Sequence, residues 1–112
     1  MDPGHARELL ARERARVERA LTDGSRREGE DDLDPFEAGD AAAEMVDVEV
    51  GEAVAQRLSE ELEAIERAEE RLVLGTYGLS VESGEPIADA RLEALPWAER
   101  TAEEQARYER QP

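Results

Sequence analysis

The chain contains no cysteine, no lysine and no asparagine. Without thiols there is neither a disulfide nor a thiolate metal site. The one histidine, His5, has no partner at metal-ligand spacing and reads as a surface residue. Phe36, Tyr77, Trp97 and Tyr108 are all the aromatics present, too few for a large globular core. No apolar run approaches the ~18 residues of a membrane span, and Met1–Ala11 lacks the apolar stretch of a signal peptide. A cytoplasmic protein is the expectation. No glycine-rich loop could cradle a phosphate, and no core could enclose a substrate, so an enzyme is not expected.

What is present is charge. Of 112 residues 39% are charged, and thirty carboxylates against fourteen arginines give a net charge of −16. This Ala/Glu/Arg-rich composition is that of long solvated helices and coiled coils. Phosphate backbones repel such a polyanion, because nucleic-acid affinity rests largely on cations neutralising phosphates. Direct binding to nucleic acid is therefore disfavoured.

Hydrophobic spacing marks two long helical segments. In Ala6–Leu21 an apolar stripe of Ala6, Leu10, Val17, Ala20 and Leu21 predicts a helix that Asp23-Gly24-Ser25 interrupts. Gly24–Asp32 is then either a loop or a frayed helical continuation. Asp34-Pro35-Phe36-Glu37 places an N-cap, a first-turn proline and Glu at N3. From there a pattern of three- and four-residue steps runs nearly to Gly75, through Val48, Gly51, Ala55, Leu58, Leu62, Ile65 and Leu72. Glu69 alone breaks this coiled-coil seam. So long a helix with one narrow stripe needs a partner. Residues 6–21 folded back supply it, giving an antiparallel hairpin over residues 1–74 with its tip near 33–42.

Residues 75–105 read GTYGLSVESGEPIADARLEALPWAERTAEEQ. The Gly75-Thr76-Tyr77-Gly78 lead, the Gly84–Ile87 turn, Arg91-Leu92-Glu93-Ala94 and Pro96 together resemble the C4 zinc finger of the DksA/TraR family. That finger carries GTYG-x-C-x-x-C-G-x-x-I, then RLEA-x-P, then C-x-x-C. Where the family places its four cysteines this chain has Ser80, Ser83, Thr101 and Glu104. Thiolate–zinc bonds supply about 10–16 kcal/mol to isolated fingers, and hydroxyls with a lone carboxylate cannot replace them. No zinc and no other cofactor is expected, and the knob over 75–112 must be held differently. Thr101-Ala102-Glu103-Glu104 forms a capping box for a terminal helix, Ala102–Arg110. Leu79, Val81, Ile87, Leu92, Leu95 and Trp97 would form an apolar cluster, and Ser80 and Ser83 would hydrogen-bond within the turn ending at Gly84.

The resemblance also implies a function. Members of the family bind bacterial RNA polymerase and insert the coiled coil into its secondary channel, where a tip motif of Asp, any residue, Ala modulates promoter open complexes. Asp40-Ala41-Ala42 matches that motif, so Asp40 and Ala42 become the candidate tip residues. Phe36 has two open readings, an anchor on the polymerase rim or a cover for the helix start. Members that respond to guanosine tetraphosphate hold it with basic side chains. By register Arg57 could serve, but Ala64 and Gln105 stand where lysines would, and Glu60, Glu61 and Glu63 crowd the turn. Alarmone binding is not expected.

The expected protein is mainly α, a helical hairpin with a metal-free, zinc-finger-like knob. Its expected function is regulation of transcription through RNA polymerase. The competing class is a coiled-coil interaction protein that has lost polymerase regulation along with its zinc.

Overall fold

The computed structural model describes the backbone of residues 1–31 and 41–111, and the side chains of residues 1–24 and 51–111. Four helices follow one another: α1 (Pro3–Asp31), α2 (Ala41–Leu74), α3 (Asp89–Ala94) and α4 (Ala102–Arg110). The predicted start of α2 at Asp34-Pro35, and most of the 33–42 tip, lie outside the described residues.

The predicted interruption at Asp23-Gly24-Ser25 is absent, and α1 passes through all three residues. Of the two alternatives for the following segment, helical continuation holds as far as Asp31. One interior glycine costs about 1 kcal/mol relative to alanine. A helix already nucleated upstream propagates through that cost.

The described residues pack as two compact units. One joins Met1–Arg14 to Glu63–Pro112, and the other is Ala15–Leu62. In the first, the start of α1 lies against the end of α2. Ala6, Leu10, Ile65 and Ala68 are wholly buried, with Ala64 nearly so. Full burial of a residue such as Leu10 or Ile65 contributes about 1.5–3 kcal/mol. The direction is antiparallel. Arg7 and Leu10 share a surface groove with Leu72 and Val73, while Arg14, further along α1, reaches back to Glu66 at 3.8 Å and Glu69 at 2.5 Å. Arg14 grips Glu69 through both Nε and Nη2. The seam's one irregular position therefore carries a forked ion pair. Both groups are about one-third exposed, so the pair is worth no more than about 1 kcal/mol.

In the second unit Val17 is fully buried, and Arg16 pairs with Glu61 at 3.2 Å. Leu58 and Leu62 are half-buried as the seam predicts, but Ala55 is exposed.

Helix α2 ends at Gly75 for a geometric reason. Thr76 N–H donates to the Arg71 carbonyl at 2.9 Å and Gly75 N–H to the Leu72 carbonyl at 3.4 Å. This is the Schellman pattern, which needs a left-handed residue just past the helix, and Gly75 supplies φ of +80°.

Beyond it, the chain forms a knuckle. Leu79 and Pro86 bridge antiparallel, Ser80 N–H donates to the Glu85 carbonyl at 2.8 Å, and Ile87 N–H to the Gly78 carbonyl at 2.8 Å. Gly84, at φ +76°, closes the turn. The knob's core is Ile87, Leu92 and Ala98, with Met1 and Tyr77 packed against it. Pro96 is among the most deeply buried side chains, and the Tyr77 hydroxyl donates to its carbonyl at 2.8 Å.

This core corrects the predicted cluster. Ile87 and Leu92 belong to it, but Leu79, Val81 and Leu95 are 39%, 50% and 37% exposed, and Trp97 is only half-buried. Alternation explains the first two. Successive side chains in extended backbone point to opposite sides, and Ser80 between them takes the inward position at 5% exposure.

Candidate functional site

The four positions that replace cysteine converge on one carboxylate. Thr101 caps α4 with extended backbone (φ −65°, ψ 162°). Its Oγ1 accepts the Glu104 N–H at 3.2 Å, and its own N–H donates to Glu104 Oε1 at 2.9 Å. The predicted capping box is present in full, over the predicted helix. The hydroxyls of Ser80 and Ser83, one chain segment away, lie near enough to the Glu104 carboxylate to favour its charge. Each serine oxygen in turn accepts backbone N–H groups of its own knuckle. Ser80 Oγ takes those of Glu82 (3.1 Å) and Ser83 (3.2 Å), and Ser83 Oγ takes that of Glu85 (3.2 Å).

Glu104 is only 5% exposed, yet its ionised form is favoured. The Thr101 backbone N–H, then the Ser80 and Ser83 hydroxyls, pull its pKa down from 4.5 to about 2, against the opposing effect of burial. Donors aimed at a carboxylate stabilise its charge. The knuckle hydroxyls and the α4 cap thus act together to keep this carboxylate a charged hub at neutral pH.

These donors do not fit a zinc ion. Neutral hydroxyls are poor zinc ligands, and here all three are already committed to hydrogen bonds. Among the described residues no group of three or more His, Asp or Glu is placed to hold a metal.

A second network, not anticipated from sequence, braces the knuckle against α2. Glu99 accepts from Arg67 through Nη2 at 2.7 Å and Nε at 3.2 Å, which raises the Arg67 pKa. Val81 N–H donates to the Glu99 carbonyl at 2.8 Å. Arg100 pairs with Glu82 at 3.1 Å and lies 4.0 Å over the Tyr108 ring. Arg91 Nε donates to the Arg100 carbonyl at 2.9 Å. His5 is a surface residue as expected, but it has a partner, Glu93 Oε1 at 2.6 Å.

The candidate tip residues Asp40 and Phe36 lie outside the described residues. Ala42 falls in the first turn of α2, where only the backbone is described. Of the positions considered for an alarmone, Arg57 is 82% exposed near Glu61 at 3.9 Å, Ala64 is buried, and Gln105 donates to Glu109 at 3.2 Å.

The sequence profile of the prokaryotic dksA/traR C4-type zinc finger matches residues 75–110, the span that holds the hub. This segment is similar to the finger of the DksA/TraR family. All four of the finger's cysteines are replaced. Over 46 residues the chain is 50% identical to the RNA polymerase-binding transcription factor DksA of Caulobacter vibrioides, in strains NA1000/CB15N and CB 15. That match covers 41% of the chain and spans about a third (32%) of the relative's length. The fold extends the likeness to the rest. Transcription factor DksA2 from Pseudomonas aeruginosa superposes with a TM-score of 0.82 at 29% identity, over 96% of this chain and 82% of that one. The mainly helical, coiled-coil class read from sequence is thereby the observed one. No described helix is long and apolar enough to cross a membrane.

Proposed function

We propose that the chain is a cytoplasmic transcription regulator that binds bacterial RNA polymerase. In this reading it inserts its acidic tip, Asp40 and Ala42, into the secondary channel and modulates promoter open complexes. Likeness to DksA2 over nearly the whole chain carries the reading, since it extends the DksA resemblance from the finger to both long helices. The DksA relative's name supplies the partner. The chain acts without zinc, the Glu104 hub taking over the work of the metal. The helices over 1–74 form the probe, and the knob over 75–112 forms the docking handle. Guanosine tetraphosphate is not a ligand, because Ala64 and Gln105 offer no cation at two of the three positions considered for it.

The test is co-purification with core polymerase, followed by transcription with Asp40→Asn. That change removes one charge and keeps the shape. Binding should stay close to wild type while the effect on open-complex lifetime largely disappears, and Asp47→Asn should behave as wild type. Wild-type protein that ignores polymerase would instead support the coiled-coil interaction protein.

A further inference from the structure

Arg71 sits in the last turn of α2 with its side chain 13% exposed. Its Nε and Nη2 are buried and have no hydrogen-bond partner among the described residues. These two nitrogens form one edge of the guanidinium, the edge that pairs a planar carboxylate through two parallel hydrogen bonds. The nearest carboxylate does not fill it. Glu99 Oε2 is 3.7 Å from Nη1, on the other edge, and Glu99 is already gripped through both Nε and Nη2 of Arg67. A buried charged donor left unmet is costly, so such a group calls for a partner.

Arg71 also lines a surface cavity of about 210 Å³, together with Thr76, Leu79, Ser80, Val81 and Gly84. Leu79 and Val81, which the knuckle turns outward, give this cavity apolar sides. We infer that Arg71 is a receptor for a carboxylate that bears an apolar neighbour and enters through this cavity, the guanidinium turning its buried Nε/Nη2 edge toward the ligand as it binds. The charge should be single. Glu99 stands beside the guanidinium, and Ser80, in the cavity wall, is close enough to the Glu104 carboxylate to influence its charge. A phosphate dianion meets more repulsion there than a carboxylate does. Burial already disfavours the charged form of Arg71, and a paired anion offsets that.

The carboxylate could belong to a small organic acid or to an acidic side chain of a partner protein, and two probes separate these sources. The readout is the Arg71 Nε–Hε resonance of full-length protein, assigned by its loss in Arg71→Lys. It is titrated at constant ionic strength with butyrate, with acetate, with inorganic phosphate, and with a blocked Leu-Glu-Leu peptide. A saturable shift is expected, with butyrate binding more tightly than acetate and phosphate weakest. Tighter binding of the peptide than of butyrate assigns the site to a protein partner, and the reverse order assigns it to a free acid. Arg71→Lys, which keeps the charge and loses the fork, should weaken binding at least ten-fold, followed on the Val81 amide. Absence of a saturable shift with every carboxylate while the protein stays folded by circular dichroism overturns the inference. So does phosphate binding more tightly than butyrate.

Discussion

Thr101 and Glu104 hold each other by two hydrogen bonds, from the Thr101 N–H to the Glu104 carboxylate at 2.9 Å and from the Glu104 N–H to the Thr101 hydroxyl at 3.2 Å. Both stand where the DksA/TraR pattern places cysteine. A residue pair that would have shared a metal instead satisfies two orphan amides at the start of α4. The Ser80 and Ser83 hydroxyls extend the same hub into the knuckle. Residues from two chain segments thus act on one carboxylate where the pattern would have them share a metal.

Thr101 gives the first prediction. Thr101→Ala should lower stability by about 0.5–2 kcal/mol in chemical denaturation, as for other N-caps. Thr101→Ser should be nearly neutral. Thr101→Asp, ordinarily a good cap, should fall below Thr101→Ser, because a second carboxylate would face Glu104. Equal stabilities for all three variants would remove the capping role.

Glu104 gives the second. Its folded-state pKa is depressed from 4.5 to about 2 by the Thr101 N–H and the serine hydroxyls. The sign follows from linkage. The stability it contributes is fully present above pH 4.5 and is lost as pH falls toward 2. Wild type should therefore melt above Glu104→Gln at pH 7, and the gap should shrink through that window in thermal scans. A gap independent of pH would mean that the charge is not what the hub uses.

Packing in the first unit gives the third. Leu10 is fully buried, and Leu10→Ala should cost about 2–5 kcal/mol. Val73 is 87% exposed, and Val73→Ala should stay within about 0.5 kcal/mol. Urea titration of both variants checks the contrast.

Local patterns carried much of this structure in the sequence itself. The capping box at Thr101 and the glycine stop at Gly75 are short-range signals, and α4 begins and α2 ends where those residues place them. Gly24 misled for the opposite reason: its local cost is real, but a long helix absorbs it. Glu69 reads as a defect in the seam, yet Arg14, 55 residues away, pairs with it. Ser80 and Ser83 were legible as turn residues, but not as neighbours that favour the charge of Glu104, because nothing in their spacing points to a carboxylate two dozen residues on. Of the six residues of the apolar cluster only Ile87 and Leu92 join the core, since counting hydrophobic residues cannot tell the inward from the outward side of a knuckle. The Arg67–Glu99 pair and the unmet edge of Arg71 depend wholly on tertiary placement. In a chain with fourteen arginines and thirty carboxylates no such pair stands out.

The central claim is that this chain engages RNA polymerase with a carboxylate hub in place of zinc. The most direct measurement is the affinity of purified protein for core polymerase before and after exhaustive chelation, with metal content determined on the same samples. The account predicts far less than one zinc per chain, an unchanged melting temperature after chelation, and an unchanged dissociation constant. Stoichiometric zinc, binding lost on chelation, or no binding in either state would contradict it.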